Sequence, residues 1–590
     1  MDHCHAPLLL AVLLSACHAT GSRTERAANA HPNVLVILTD DQGHGDLRSH
    51  GNPVLDTPRL DALAAESAAM ERFYVSPVCT PTRAALMTGR NSVRTRAIDT
   101  YRGRAMMAPA EVTIAEVLRD AGYATGLFGK WHLGDNHPMR PQDQGFEKVL
   151  CHRGGGLAQP ADHIDNRRRY TDAILFEDGV PVQTEGFCMD VYAQHAVRFM
   201  EESAAADRPF FAYVATNTPH GPFHDVPEEL RAKYAGRDLS GVLDDPKQAD
   251  RLARCLAMVE NVDQNVGRLL DAIERLGLAE DTIVVYLHDN GPNMRRYVGE
   301  MRGMKSEVFE GGIRTPFFVR WPGVVPAGLR RAEIAAHVDL WPTLVEATGV
   351  DAPAVEDQDG RSIWPLLTDT AAEWPDRLLH IQAHRGDRRV AEHNFAVIGQ
   401  RYKLLRASGF GRETPPADSA FALFDLENDP REEADLFSAE PEIAASLLRA
   451  HREWFADAID HEGFGTPPPI VVDFDVEPSH ELNRNDWRPI GGGYGAAGEW
   501  HLSSASDRRL TVRVRTRGGP KAPGTARVEV MIDGEVQAAS DVVIDDRRAR
   551  LDHELEGVVL LPRGEHRLGV RVTIGDAPWA AEHVILAPAR

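Results

Sequence analysis

The chain has 590 residues, room for about two to four domains and a large buried core. Apolar residues make up 43% and charged residues 26%, an ordinary globular mix that excludes collagen-like and low-complexity chains. A net charge of −23 disfavours non-specific nucleic-acid binding, although one basic pocket can still hold a single anion.

The run Pro7–Ala16 is apolar and too short to cross a membrane, so it suits the core of a signal peptide. It leads into Leu14-Ser15-Ala16-Cys17, which resembles a bacterial lipobox. That resemblance implies cleavage before Cys17 and lipidation of its thiol. Residues 1–17 are therefore expected to be a signal peptide and the polar stretch 18–31 a tether. The expected location is the bacterial cell envelope or periplasm, with membrane attachment only through Cys17. Met1-Asp2-His3-Cys4-His5 contains no Lys or Arg, so an ordinary signal peptide is the alternative. No internal apolar stretch of about 18 residues is present. Removing Cys4 and Cys17 leaves Cys79, Cys151, Cys188 and Cys255. If Cys79 has a chemical role, the other three allow at most one disulfide.

From Asn33 onward strands alternate with helices. Asn33–Thr39 is continuously apolar, as a strand buried on both faces of a parallel sheet must be. Helices are predicted at Thr57–Met70 and Val112–Ala121. Further buried strands are predicted at Ala124–Phe128, Phe210–Val214 and Thr282–Leu287. Ala249–Leu276 shows the clearest helical periodicity, with Leu252, Leu256, Val259, Val262, Val266, Leu269 and Ile273 stepping by three or four. The pattern is that of an α/β layered domain over 32–370. Short strands such as Phe395–Ile398 and Tyr402–Leu405, followed by a helix at 441–458, mark a smaller α+β subdomain over 371–462. Gly463–Pro469 reads as a linker. Beyond it Leu510, Val512 and Val514, Val528, Val530 and Ile532, and Leu568, Val570 and Val572 alternate with polar residues, which predicts an all-β sandwich over 470–590. This module is expected to pack partly on the catalytic part while contributing no catalytic residue.

Candidate chemistry falls at strand ends, where open α/β sheets bind ligands. The first strand ends in Asp40-Asp41-Gln42-Gly43, and the strand at 282–287 ends in His288-Asp289-Asn290-Gly291. Taken singly, both segments also read as turns. Together Asp40, Asp41, Asp289 and Asn290 form an oxygen-only donor set, which suits Ca²⁺ or Mg²⁺. Cys79-Thr80-Pro81-Thr82-Arg83 places a thiol at a helix start with Arg83 one turn along, a setting that would activate a nucleophile and hold an anion. Gly129-Lys130-Trp131-His132 adds Lys130 and His132, Pro219-His220-Gly221 adds His220, and Gly303-Met304-Lys305 adds Lys305. Each alone reads as surface or satisfied core; together they point to one site.

This ordered set resembles the type I sulfatases, formylglycine-dependent members of the alkaline phosphatase-like superfamily. The resemblance covers roughly 31–460. It rests on Cys79-Thr80-Pro81-Thr82-Arg83 with Thr88-Gly89-Arg90, on Gly129-Lys130-Trp131-His132-Leu133-Gly134, and on Glu310-Gly311-Gly312-Ile313-Arg314. Asp425-Leu426-Glu427-Asn428-Asp429-Pro430 matches the family's carboxyl-terminal subdomain. Thr82 departs from the family's usual Ser. The implied fold is an alkaline phosphatase-like three-layer α/β sandwich with a small α+β subdomain, here followed by the all-β module. The implied activity is sulfuric ester hydrolysis, arylsulfatase-like, on a sulfated small molecule or carbohydrate.

The resemblance further implies that a maturation enzyme oxidises Cys79 to formylglycine. Asp40, Asp41, Asp289, Asn290 and the converted residue 79 would hold Ca²⁺, with Mg²⁺ the alternative ion. Arg83 and Lys130 would hold the formylglycine hydrate, and His132 would take the proton when the hydrate collapses. Lys305 and His220 would bind sulfate, with His220 the acid for the leaving alcohol. All these positions are filled, against the alternative of a non-catalytic glycan-binding protein. A phosphonate or phosphodiester hydrolase of the same superfamily is the second alternative. Arg94, Arg96, Arg102, Arg104 and Arg167-Arg168-Arg169 are candidates for glycan contact or solvated surface, and Trp487, Tyr494 and Trp500 for sugar stacking or sandwich core.

Overall fold

The computed structural model describes Met1 and residues 31–589, apart from 158, 167–168, 244, 462, 491–496 and 576. The signal segment, Cys17 and the tether through residue 30 therefore lie outside the described residues, as do Arg167, Arg168 and Tyr494. The described residues from His31 onward form one compact unit.

A large mixed sheet organises the catalytic part. Its strands are β1 (Asn33–Thr39), β2 (Ala68–Tyr74), β3 (Ala124–Lys130), β4 (Lys148–His152), β5 (Ile174–Glu177), β6 (Val180–Gln183), β7 (Phe210–Ala215), β8 (Thr282–His288), β9 (Arg314–Thr315), β10 (Phe317–Arg320) and β11 (Arg330–Ala336). They lie in the order β11-β2-β10-β8-β1-β7-β3-β4-β5-β6, with β9 beside β2. The central run from β8 to β4 is parallel. The helices include α1 (Pro58–Glu66), α2 (Cys79–Thr88), α3 (Ile114–Asp120), α4 (Cys188–Ala205), α5 (Glu228–Ala235) and α6 (Ala249–Arg275). Alternate residues of β1 feed different cores. Leu35 and Ile37 join a cluster with α1, α4 and α6. Val34, Val36 and Leu38 join a second cluster with α2 and α3. One sheet thus carries helices on both faces, as the continuous apolar strand predicts, and this is the three-layer arrangement that the family resemblance implies.

The predicted helix at 57–70 is two elements. Helix α1 stops at Glu66, Ser67 turns extended, and the Ser67 hydroxyl donates to the Leu63 carbonyl at 2.6 Å. Ala68, Ala69 and Met70 then enter the sheet as β2. Short apolar runs do not distinguish strand from helix; here the sheet supplies the burial that decides.

A four-stranded antiparallel sheet follows: β12 (Leu379–Gln382), β13 (Phe395–Ile398), β14 (Tyr402–Arg406) and β15 (Ala422–Asp425). The helix Pro441–Ala458 covers one face through Ala444 and Leu447. The buried Lys403 ammonium bridges Glu310 at 2.9 Å and Glu432 at 2.8 Å, tying this sheet to the catalytic part.

Two further sheets share one apolar core in the carboxyl-terminal region, and the alternating valines and leucines point into it. Trp487 and Trp500 are 1% exposed and belong to that core. So do Met106 and Met139 of the catalytic part, so the module's core is shared. The 463–469 segment is held against the catalytic part. Arg96 donates to the Thr466 carbonyl at 2.8 Å and Arg104 to the Phe464 carbonyl at 2.9 Å. Cys79, Cys151, Cys188 and Cys255 are buried free thiols, so the disulfide that the sequence permits is not formed.

At the junction the Asn483 amide donates to Asp135 of the catalytic part at 3.1 Å and to Asp486 of the module at 3.2 Å. Burial, then the neighbouring Asp135, pushes Asp486 up from 3.8 to about 8. Arg153 and Asn485 also face this carboxyl and oppose the rise. A carboxyl with a raised folded-state pKa favours folding at low pH, and that contribution is lost as pH climbs from the unfolded value to the folded one. The melting temperature is expected to fall between about pH 4 and pH 8, and Asp486→Asn to flatten that fall, with a gain of about 2–5 °C at pH 8. Thermal melts of both proteins across this range check it.

Candidate active site

Adjacent parallel strands β1 and β8 end side by side, with Thr39 opposite His288. The residues that follow, Asp40-Asp41 and Asp289-Asn290, therefore emerge together. The Asp289 amide donates to the Thr39 carbonyl at 3.0 Å, and the Asp41 amide donates to the Asp289 carboxylate at 3.1 Å. Strand β3, two places along the sheet, delivers Lys130 as its last residue. The loop after β7 delivers His220, and the loop before β9 delivers Lys305.

Three buried carboxylates this close repel one another unless cations intervene. Three do. Lys130 donates to Asp40 Oδ2 at 2.7 Å. Arg83 reaches Asp289 Oδ2 through Nη2 at 2.8 Å and Nε at 3.2 Å, and its Nη1 donates to the Lys130 carbonyl at 2.9 Å. Lys305 pairs with Asp41. Burial acts to raise Asp41, but Lys305 and His220 outweigh it and hold this carboxyl below its usual range. Asp289 goes the other way: burial and then Asp40 push it up to about 6.

Cys79 opens α2 and is 3% exposed. Burial pushes its thiol up, against the pull of Lys130 and Lys305. Desolvation of the unmodified thiol thus outweighs the pull of the nearby cations. His132 Nδ1 lies 3.5 Å from Cys79 Sγ, and Nε2 lies 3.0 Å from the Thr100 carbonyl. A carbonyl only accepts, so Nε2 carries the proton and the lone pair on Nδ1 faces residue 79. Burial, then Lys130, keeps His132 well below its usual pKa, hence neutral. Asp41 and His132 both adopt left-handed backbone, with φ of 60°. Such strain costs about 1–3 kcal/mol per residue and persists where surroundings enforce it. Gly155 lets the next loop close in: a Cβ there would stand 2.8 Å from His132 Cε1. His220 Nε2 lies 3.6 Å from Asp41 Oδ2, and burial lowers this histidine to about 4.

The donor chemistry fits a hard cation. Asp40 Oδ1, Asp41 Oδ2 and Asn290 Oδ1 are buried oxygens without a hydrogen-bond donor among the described residues. Ligand atoms of Asp40, Cys79 and Asp289 lie within 4.8 Å of one another, as do those of Asp40, Asp41 and His220. Oxygen-rich sets of this kind suit Ca²⁺ or Mg²⁺.

Family comparison agrees with this geometry. The model of the sulfatase family matches residues 32–350, more than half of the chain, and that of the N-sulphoglucosamine sulphohydrolase carboxyl-terminal region matches 303–452. The chain belongs to the sulfatase family. It is 32% identical to bovine arylsulfatase A over 468 residues, 72% of this chain and 87% of that one. It is 32% identical to canine N-acetylgalactosamine-6-sulfatase over 360 residues, 57% of this chain and 66% of that one. Among solved structures, Ps i-CgsB in complex with k-i-k-neocarrahexaose superposes with a TM-score of 0.63 at 24% identity, covering 74% of this chain and 94% of that chain. A chain in complex with its substrate D-glucosamine-2-N,6-O-disulfate gives 0.58 at 21%, covering 74% and 99%. The fold is that of the alkaline phosphatase-like sulfatases, and the activity is sulfuric ester hydrolysis.

Every site residue named from the sequence is in this one cluster: Asp40, Asp41, Cys79, Arg83, Lys130, His132, His220, Asp289, Asn290 and Lys305. The Thr82 departure is absorbed, because its hydroxyl accepts from the Ser76 amide at 3.0 Å and donates to the Ser76 carbonyl at 3.2 Å. The arginines proposed for glycan contact mostly do structural jobs. Arg94 pairs with Asp359 and Asp457, Arg102 pairs with Glu413, and Arg104 is buried.

Sequence reading missed the support beneath Asp41. Arg296 and Asp46 form a buried pair, and Arg296 Nη2 donates to the Asp41 carbonyl at 3.0 Å. Neither stands in a motif; only the fold brings them under the site. Arg296→Met leaves Asp46 buried and unpaired. It is expected to cost about 3–5 kcal/mol of stability and to weaken divalent-ion binding about 10–100-fold. Denaturant unfolding and calcium titration of the purified variant check both.

Proposed function

We propose that this chain is an exported sulfatase that removes sulfate from a sulfated carbohydrate, with residue 79 matured to formylglycine and a Ca²⁺ ion at Asp40, Asp41, Asp289 and Asn290. The observation that carries this reading is the set of donor-free oxygens on Asp40, Asp41 and Asn290, packed around residue 79 between three cations. Bound there, the ion supplies a Lewis acid for a sulfate oxygen, and the matured residue supplies the hydrated nucleophile. A protein maturation enzyme is the implied partner. Export and attachment at Cys17 rest on the amino-terminal sequence. The sugar class is suggested by the relatives that act on N-acetylgalactosamine sulfate and the neighbours that bind sulfated saccharides.

The chain's own residues divide the work by position. Lys305 and His220 face the exposed side of the carboxylate cluster, 16% and 14% exposed in their side chains, where sulfate would enter. Once sulfate occupies that side, Lys305 can share its proton donors between Asp41 and a sulfate oxygen. His132 offers its Nδ1 lone pair beside residue 79 and so can take a proton there. Its ring is held for that task by the Thr100 carbonyl. His220, with Nδ1 turned to the Gly221 carbonyl, presents the Nε2 lone pair of a neutral ring to the same space; it can act as the acid for the leaving alcohol once Nε2 takes up a proton, which the negative charge of a bound sulfate favours. Arg83 and Lys130, both fully enclosed, set the positions of Asp289 and Asp40 rather than reaching outward.

Mass analysis of the peptide carrying residue 79 should show a loss of about 18 Da against cysteine, from exchanging a thiol for an aldehyde oxygen. Cys79→Ala should abolish 4-nitrophenyl sulfate turnover while keeping the fold. Exhaustive chelation should abolish it as well, with recovery on adding Ca²⁺. Full turnover by a chain with unmodified Cys79, or by metal-free protein, contradicts the reading. Comparing this turnover with that of a phosphonate monoester separates the sulfatase from a phosphonate hydrolase.

A further inference from the structure

A cavity of about 260 Å³ lies where the catalytic part meets the carboxyl-terminal module. Thr100, Gln159 and Arg385 line it from the catalytic part; Arg484, Asn485 and Trp487 line it from the module. It adjoins the active site through two of these residues. The Thr100 carbonyl holds His132 Nε2. The Gln159 side chain shares Gly155 with the His132 ring: a Cβ on Gly155 would meet Gln159 Oε1 at 2.5 Å and His132 Cε1 at 2.8 Å. On the neighbouring Gly156, a Cβ would meet Gln159 Nε2 and His220 Nδ1, each at 3.5 Å.

The module holds both lining loops in place. Arg517 of the module donates to the Gln159 carbonyl at 3.0 Å and the Asp162 carbonyl at 2.9 Å. The Asn485 carbonyl accepts from the Gly103 amide at 3.2 Å, which pins the loop that carries Thr100. The lining is also charged in one sense. It contains two guanidinium groups and no carboxylate among its described residues. Arg385 lies over the Tyr101 ring at 4.0 Å, and Arg484 over the Trp487 ring at 5.5 Å. Arg484 meets Glu582 only at 3.4 Å, a long contact that Arg517 shares at the same distance. Beneath the loop, Arg104 and Arg389 are buried with Arg104 Nε and Nη1 and Arg389 Nε and Nη2 unpartnered among the described residues. Arg385 is paired with the buried Asp99, yet in a chain of net charge −23 these arginines outnumber the carboxylates that pair with Arg385 and Arg484, which leaves a local positive excess suited to an anion.

We propose that the carboxyl-terminal β module completes the saccharide pocket of this enzyme, and that Arg484 with Arg385 binds a second anionic group, sulfate or carboxylate, on the saccharide whose ester is cleaved. The proposal rests on the reading of the adjoining site as a sulfatase centre. Arg484, Asn485 and Trp487 lie beyond residue 452, outside the regions matched to the family, whereas Thr100, Gln159 and Arg385 lie within them.

The test is competition against 4-nitrophenyl sulfate turnover by the full-length matured protein, which reads binding whether or not the competitor is hydrolysed. The probes are N-acetylgalactosamine 6-sulfate, its 4,6-disulfate, and the disaccharide joining the 6-sulfated sugar to glucuronic acid; glucosamine and galactose counterparts form parallel sets. In at least one set the wild type should bind a doubly anionic probe about tenfold more tightly than the monosulfate, and Arg484→Gln should erase that preference. Arg484→Lys should keep part of it. The disulfate and glucuronate arms tell which anion is recognised. Arg527→Gln removes the same charge from a module residue that does not line the cavity and should keep the preference. If Arg484→Gln melts early, the double variant Arg385→Gln/Asp99→Asn, which leaves no buried carboxylate without its cation, reads the same quantity from the opposite wall. Equal binding of single and double anions by the wild type, or a preference that survives Arg484→Gln, overturns the proposal. If matured protein does not turn over 4-nitrophenyl sulfate, the sulfatase reading fails instead, and calorimetric binding of the same probes decides the pocket separately.

Discussion

The structure depends on one electrostatic constraint: three carboxylates buried together at the ends of two neighbouring parallel strands. Asp40, Asp41 and Asp289 are all fully enclosed. Unpaired, each would carry a desolvation penalty of several kcal/mol. Lys130, Arg83 and Lys305 offset that penalty, and each comes from a different part of the chain. Lys130 ends a strand, Arg83 sits one turn into α2, and Lys305 comes from the loop ahead of β9. Drawing these cations inward is what brings Cys79 and His132 beside the carboxylates. The charges balance, yet three oxygens remain without donors among the described residues. Three such oxygens, packed around residue 79, are the donor set that a hard cation would take.

Layers of support surround this cluster. Arg296 and Asp46 hold the Asp41 loop from below. The Thr100 carbonyl fixes the His132 tautomer from the side, and Thr82 closes the turn that leads into α2 through both Ser76 backbone groups. These contacts explain how Asp41 and His132 are kept in left-handed backbone. The buried bridge from Lys403 to Glu310 and Glu432 does the same job at larger scale: it locks the four-stranded subdomain to the short helical turn Glu310–Ile313 ahead of β9.

The carboxyl-terminal module changes the picture of the chain as a catalytic domain with an appendage. Its core takes in Met106 and Met139, its Asn483 bridges two carboxyls across the junction, and its Arg517 clamps the loop beside His132 and His220. Residues 463–469 have the composition of a linker, but their carbonyls are hydrogen-bonded to Arg96 and Arg104. Gly and Pro report where a chain can turn; they do not report whether the turn is then covered.

Much of the site was legible in the sequence because its residues sit in short local signals. Asp40-Asp41 and Asp289-Asn290 follow continuous apolar runs, and such runs become central parallel strands whose ends bind ligands. Cys79 to Arg83, Lys130 to His132 and His220 stand in turn-rich segments with glycine or proline. The strand-helix alternation likewise announced the layered fold, and the alternating valines after residue 508 announced the sandwich. What the sequence left open was settled by contacts between distant segments. The stretch Ala68–Met70 became strand because the sheet offered it burial between β10 and β11. Arg94 and Arg104 became structural because Asp359, Asp457 and the Phe464 carbonyl lie against them. Arg296, Thr100, Gln159 and Arg484 carry no local signal at all, and only folding sets them around the site. Local patterns report backbone preference and burial; which charge meets which, and what encloses a cavity, depends on pairings across hundreds of residues that no local pattern encodes.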